Sequence, residues 1–178
     1  MPRATEMVTI SNCLVAGNYE EGTLIDGTFK KFAADAKVPR TGRIKFGTES
    51  NGGFQNIAIS NCVFEGCSGL AIETVDGAVI EDVSVTNVTM RDVMGAPIFM
   101  RLGARMRGPA GAAVGVLRRV ILSNITCSCG SYSSGAGARI GSIVAGIPGH
   151  PIEDVKMSDI VIAHPEGGTK EDAQRRWE

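Results

Sequence analysis

Apolar and small polar residues alternate along most of the chain, and one alternating phrase keeps returning. It reads Thr9-Ile10-Ser11-Asn12-Cys13, then Ile57-Ala58-Ile59-Ser60-Asn61-Cys62, then Val83-Ser84-Val85-Thr86-Asn87-Val88. Two more copies follow, Val120-Ile121-Leu122-Ser123-Asn124-Ile125 and Val155-Lys156-Met157-Ser158-Asp159-Ile160. Period-two alternation is the signature of a half-buried strand, with one face inward and one in water. Each copy sets Asn or Asp at the same point. Recurrence at intervals of roughly 25–50 residues marks a repeat architecture.

A second phrase lies between the copies of the first. It runs Gly22-Thr23-Leu24-Ile25-Asp26, Gly42-Arg43-Ile44-Lys45-Phe46-Gly47 and Gly69-Leu70-Ala71-Ile72-Glu73-Thr74. It returns as Pro97-Ile98-Phe99-Met100-Arg101-Leu102-Gly103 and Gly141-Ser142-Ile143-Val144-Ala145-Gly146. The spacing leaves little room for crossover helices, and Gly52-Gly53, Gly66 and Asp76-Gly77 mark tight corners. Parallel strands joined without helices and stacked coil upon coil make a β-helix. Asn at one corner suits this arrangement, because it tolerates left-handed backbone angles and its amide reaches the next Asn along the stack. A β-sandwich would not repeat one corner residue, and a leucine-rich repeat would show a regular leucine pattern that is absent. The sequence therefore predicts an all-β chain, a right-handed single-stranded parallel β-helix (solenoid) over residues 1–165 with a charged tail over 166–178. Phe29 to Thr41 and Gly103 to Gly115 break the pattern and are expected to project as loops, which on a rigid scaffold commonly carry function.

Composition narrows the partners. The 178 residues carry 18 basic and 19 acidic side chains, a net charge of −1. A general binder of nucleic acid or of an anionic membrane would show a basic surplus, so neither partner is expected. No apolar run is long enough to span a bilayer, and the residues before the first repeat hold no apolar segment of signal-peptide type, so the chain is expected either to be cytosolic or to have lost a native leader. The cysteines Cys13, Cys62, Cys67, Cys127 and Cys129 form no paired C-x-x-C motif, so a zinc site is not expected, and they read as small apolar filler. No metal and no cofactor is expected.

The stretch Gly42-Arg43-Ile44-Lys45-Phe46-Gly47-Thr48-Glu49-Ser50-Asn51-Gly52-Gly53-Phe54-Gln55-Asn56-Ile57 resembles the polygalacturonase family, glycoside hydrolase family 28. The likeness continues through Ile59-Ser60-Asn61-Cys62-Val63-Phe64 and Gly69-Leu70-Ala71-Ile72-Glu73-Thr74. A bacterial branch is resembled at Pro97 to Pro109 and at Ile147-Pro148-Gly149-His150-Pro151-Ile152-Glu153-Asp154-Val155. The resemblance implies a right-handed β-helix that hydrolyses galacturonide linkages of pectin with inversion, in a secreted or periplasmic setting. It also implies three catalytic aspartates, a nearby His, and an Arg-Ile-Lys strand for the uronate. The first aspartate would fall before Met1, and the aspartate pair between Asn18 and Thr23, where the chain has Asn18-Tyr19-Glu20-Glu21-Gly22. The Gly-His-Gly motif falls on Gly42-Arg43-Ile44, and Arg-Ile-Lys on Ala71-Ile72-Glu73. Family members are longer, which implies further coils before Met1 and a segment after Glu178. Bare coil ends expose unpaired backbone groups, so a homo-oligomer or a folded-over tail is expected to cover them.

A hydrolase of this type needs two carboxyl groups across the scissile bond. With Ile44, Phe46, Ile72, Met100 and Leu102 facing inward, Lys45, Glu73 and Arg101 face outward in one column, with Asp26 beside them. Coils about 4.8 Å apart would put Asp26 and Glu73 roughly 9–10 Å apart, near the upper end of the inverting range. The candidate catalytic acids are therefore Glu73, Asp26, Glu49 and Asp76. Arg43, Lys45, Arg101 and Arg105 are the candidate binders of the uronate carboxylate, which Arg grips with two parallel hydrogen bonds. The same column also reads as a ladder of alternating charges that only stabilises stacking. Two functions follow: hydrolysis of pectic polysaccharide by an altered catalytic set, or an inactive β-helix module that binds sugar or serves structure alone. His150 and His164, each beside a proline, read as structural.

Overall fold

The computed structural model describes residues 3–17, 19–21, 27–28, 30–33, 42–130, 141–165 and 169–171. The named elements are all strands: β1 (Thr5–Ser11), β2 (Leu14–Ala16), β3 (Tyr19–Glu21), β4 (Lys30–Lys31), β5 (Ile44–Phe46) and β6 (Phe54–Glu65). They continue as β7 (Leu70–Thr74), β8 (Val79–Val93), β9 (Ile98–Leu102), β10 (Val116–Cys129), β11 (Ile143–Ala145) and β12 (Glu153–Ala163). The larger sheet runs β1-β6-β8-β10-β12, with β2 also on β6, and the smaller runs β11-β9-β7-β5. Every pair in both sheets is parallel, while β3 and β4 form a separate antiparallel pair. From β5 onward the chain alternates strictly between the two sheets, and their inward side chains merge into one core cluster. Among the described residues no helix is long and apolar enough to cross a membrane.

The long strands owe their shape to single left-handed residues. In β8 these are Asp82, Asn87 and Asp92, with φ of 57°, 54° and 54°. A left-handed residue inside an extended run resets the side-chain phase, so the buried set is Ile80, Val83, Val85, Val88, Met90 and Val93 rather than every second residue. The repeated Asn column is one such row: Asn12, Asn61, Asn87, Asn124 and Asp159 all have positive φ. Asn and Asp adopt this conformation at least cost among residues with a Cβ. Asn87 Nδ2 donates to Asn61 Oδ1 at 3.2 Å and Asn124 Nδ2 to Asn87 Oδ1 at 3.3 Å, as the corner reading anticipated. A second left-handed row, five residues earlier, comprises Met7, Asn56, Asp82, Arg119 and Asp154. Its varied residue types conceal it from the sequence.

Apolar rows stack on apolar rows. Val83 is in register with Ile57 on one side and Val120 on the other, and Leu122 with Val85 and Met157. Leu117, Val120, Leu122 and Ile125 are fully buried. Phe46 and Phe54 close one corner edge to face, with ring centroids 5.1 Å apart. Cys62, Cys67 and Cys127 are buried filler, and burial pushes the Cys127 thiol up to about 12. Cys13 departs from the filler reading. It occupies the same inward phase but is exposed, beside β1 at the edge of the sheet among the described residues.

Candidate functional site

The smaller sheet carries the side chains singled out for chemistry. Ile44, Phe46, Ile72, Met100 and Leu102 are the inward residues, as the alternation requires, and Phe46, Ile72, Met100 and Leu102 are buried. The outward positions form two columns. Lys45, Ala71, Phe99 and Ile143 are in register in the first, and Glu73, Arg101 and Ala145 in the second.

The column expected from sequence is therefore corrected at one place. Glu73 and Arg101 are aligned, but Lys45 pairs with Ala71, two residues before Glu73. A shift of two residues leaves every side chain on its own face, so alternation fixes the face without fixing the register. Lys45 still reaches Glu73 diagonally, its Nζ lying 3.1 Å from Oε1. Glu73, in an outward phase, is only 7% exposed. Its backbone is pressed by Gly47, where a Cβ would stand 2.0 Å from the Glu73 carbonyl oxygen and where φ is +84°. Only glycine meets both conditions.

Beyond β7 the chain turns at Asp76, whose side chain is 1% exposed. The loop after β9 folds back onto this corner: the Arg105 amide donates to the Val75 carbonyl at 2.7 Å. Arg105 grips Asp76 with two prongs, Nε donating to Oδ1 at 3.1 Å and Nη2 to Oδ2. The Arg107 amide adds a third bond to Oδ1 at 3.0 Å. The Arg105 hydrogen bonds outweigh burial and hold the Asp76 carboxyl below its ordinary range, while Asp76 raises Arg105 in turn. Glu49 joins from the turn after β5, 3.5 Å from Arg105 Nη2 and 3.9 Å from Arg107 Nη1. Glu49, Asp76 and Arg105 thus come together from three successive passes of the chain.

Arg43 is half-buried at the start of β5 and donates from Nη2 to the Ser68 carbonyl at 3.2 Å. Neither Arg43 nor Arg101 forms an ion pair among the described residues. Asp26 lies outside the described residues, as do most of the loop from Phe29 to Thr41 and most of the tail over 166–178.

Two groups were missed in the sequence. Phe99 is an outward, half-buried aromatic in the same column as Lys45, in register with Ala71 and two residues before Arg101. A large apolar ring at an outward position of an alternating strand was the available signal. Asn51 Oδ1 is buried with no hydrogen-bond donor, beside Gly108 and close to the Asp76 corner. Nothing in the sequence distinguishes it from a turn asparagine.

On this face the acids are engaged by Lys45 and Arg105, while Arg43 and Arg101 stand outside the ion pairs of the described residues. Asp76 has both oxygens occupied, and Glu73 is paired. His164 sits at the end of the stack, with Nε2 3.7 Å from Cys129 Sγ. Among the described residues no cluster of three His, Cys, Asp or Glu side chains is placed to hold a metal ion. A shallow groove of about 340 Å³ lies on the larger sheet, where Arg119 grips Asp82 with two prongs at 2.7 and 2.8 Å. No protein-family model, curated protein or solved structure matches the chain.

Proposed function

We propose that the chain is a right-handed parallel β-helix of the polygalacturonase type that binds acidic, pectic polysaccharide along the outer face of β5, β7 and β9. The helical winding is supported by strands that alternate between two parallel sheets around one core, and by the asparagine ladder that stacks pass upon pass. The observation that carries the binding function is the set Arg43, Lys45, Arg101 and Arg105 spread across one face with Phe99 among them. Arg43 and Arg101 have guanidinium groups without a carboxylate partner among the described residues, which suits the planar carboxylate of a uronate. Phe99 provides an apolar platform for the face of a sugar ring.

Binding is preferred to hydrolysis on electrostatic grounds. A general acid must hold a proton near neutral pH, which requires a raised carboxyl pKa. Asp76 is shifted in the opposite sense and its oxygens are occupied by Arg105 and Arg107. A second reading keeps hydrolysis of galacturonide linkages, with Glu73 and Glu49 as the two carboxyl groups. It is favoured by the burial of Glu73 on the same face as Arg101.

The test is affinity electrophoresis and calorimetry with polygalacturonate against a neutral galactan. Retention by the acidic polymer alone is expected, with about tenfold weaker binding in Arg101→Ala, the loss of one charge-assisted contact of roughly 1.4 kcal/mol. Equal retention by the neutral polymer would overturn the reading. Release of reducing ends from polygalacturonate, abolished in Glu73→Gln, would replace it with the hydrolase.

A further inference from the structure

Arg43 and Arg101, which form no ion pair among the described residues, hold their guanidinium groups at opposite ends of one strand. Arg43 precedes β5 but reaches across to the start of β9. Its Nη2 donates to the Ser68 carbonyl at 3.2 Å and lies 3.9 Å from where a Cβ at Gly95 would stand. Arg101 leans the other way, its Nε 3.9 Å from where a Cβ at Gly103 would stand. Ile44, Leu70 and Ile98 are in register, so Arg43 lies one residue before that rung and Arg101 three residues after it. Four residues of strand and two passes put the two backbones about 16 Å apart. Along the strands both side chains lean further outward. Midway between them Phe99 points outward, with Ile143 in register beside it.

We propose that the ligand of this face is an unesterified oligouronide lying along β9, with one carboxylate on Arg43, a later one on Arg101 and a sugar ring between them on Phe99. This direction, and the minimum length it sets, rest on the acidic-polysaccharide reading above.

Charge excludes the other directions. A polyanion running from pass to pass through Glu73, Arg101 and Ala145 meets the Glu73 carboxylate next to Arg101. In the column of Lys45, Ala71, Phe99 and Ile143 the one cation is Lys45, already 3.1 Å from Glu73. Along β5 or β7 the polymer would run onto Glu49 or Glu73. From Pro97 to Arg101 the chain carries no acid, and Arg43 supplies a cation where β9 begins. Each guanidinium grips a planar carboxylate through two parallel hydrogen bonds, and a methyl ester removes the charge on which that grip depends. One sugar cannot touch both ends. The second contact is gained only by a chain that spans the distance, and it then forms within the complex at high effective concentration.

The experiment is calorimetry of the full chain with unesterified galacturonate as dimer and as hexamer, beside retention by polygalacturonate. The hexamer is expected to bind at least about tenfold more tightly than the dimer, because it alone reaches both guanidinium groups. Arg43→Gln keeps a donor for the Ser68 carbonyl and removes the charge. It should cost the hexamer about tenfold or more and change the dimer by no more than about twofold, since Arg101 still offers a single contact. Arg101→Gln should act in the same way. A polymer lying along the stack would use Arg101 without Arg43. Hexamer binding untouched in Arg43→Gln, or equal affinity for dimer and hexamer, with polygalacturonate still retained by the parent chain, overturns the direction and the length and leaves the acidic-polysaccharide reading standing. Failure of the parent chain to retain polygalacturonate removes that reading and this one together.

Discussion

In the larger sheet Val83 lies between Ile57 and Val120, and Asn87 between Asn61 and Asn124; each row repeats one kind of residue from pass to pass. In the smaller sheet Lys45 is in register with Ala71 and Phe99, and Glu73 with Arg101. Rows of like residues serve stacking, because each side chain meets the surroundings its neighbour meets. Rows of unlike residues gain nothing from repetition. Their charges are paired diagonally and across passes, by Lys45 with Glu73 and by Arg105 with Asp76 and Glu49. The lesson is that function is to be sought where the repeat stops repeating.

The contrast predicts graded responses. Leu122 is fully buried in the middle of the larger sheet. Leu122→Ala should cost about 2–5 kcal/mol through lost burial and the cavity left behind, read from the denaturant midpoint. A cost near zero would mean that the rows do not interlock. Next comes Arg105→Ala, which strands the Asp76 carboxylate without its two-pronged partner. A clearly lowered midpoint is expected, restored in part by adding Asp76→Asn. The same pair dictates a pH dependence. The folded Asp76 pKa is depressed, so its contribution is present above its unfolded value of about 3.9 and disappears as pH falls through the lower folded value. Asp76→Asn should therefore lose less stability than the parent between pH 7 and pH 3, and parallel curves would remove Asp76 from the account.

Asn87→Ala should lose roughly 1–2 kcal/mol to the left-handed backbone, and about 1 kcal/mol for each amide hydrogen bond. Asn87→Gly, which keeps the backbone, should lose only the second part. If the two variants unfold alike, the conformation is not what asparagine is there to supply. The smallest effect is expected at Val63→Thr, on the outward side, within about 0.5 kcal/mol in thermal melts.

The inward rows and the asparagine row of the larger sheet were legible because they are chemically uniform. The repeated Asn at 12, 61, 87 and 124 announced the corner, and the alternation around it gave the inward residues on either side. The second left-handed row was not legible, since Met7, Asp82 and Arg119 share no side-chain property, and Met and Arg have no preference for that conformation. In the smaller sheet the faces of Lys45, Glu73 and Arg101 followed from alternation. Their register did not, because sliding by two residues changes no face. The grip of Arg105 on Asp76 was hidden for a different reason. It joins a loop to a corner 29 residues earlier, and no periodicity links the two.

The left-handed residues have a consequence for how such a chain tolerates change in length. Neighbouring asparagines of the ladder are 26 residues apart at one step and 37 at the next, yet both steps close on the same amide contact. All of that variation is taken up between strands, where the chain crosses from sheet to sheet. Inside a strand the phase is reset at every fifth residue, so a single inserted residue would turn the following valines and isoleucines into water. Such a molecule gains or loses sequence at its crossings and keeps its straight segments at constant length, which marks the crossings as the places to graft new loops.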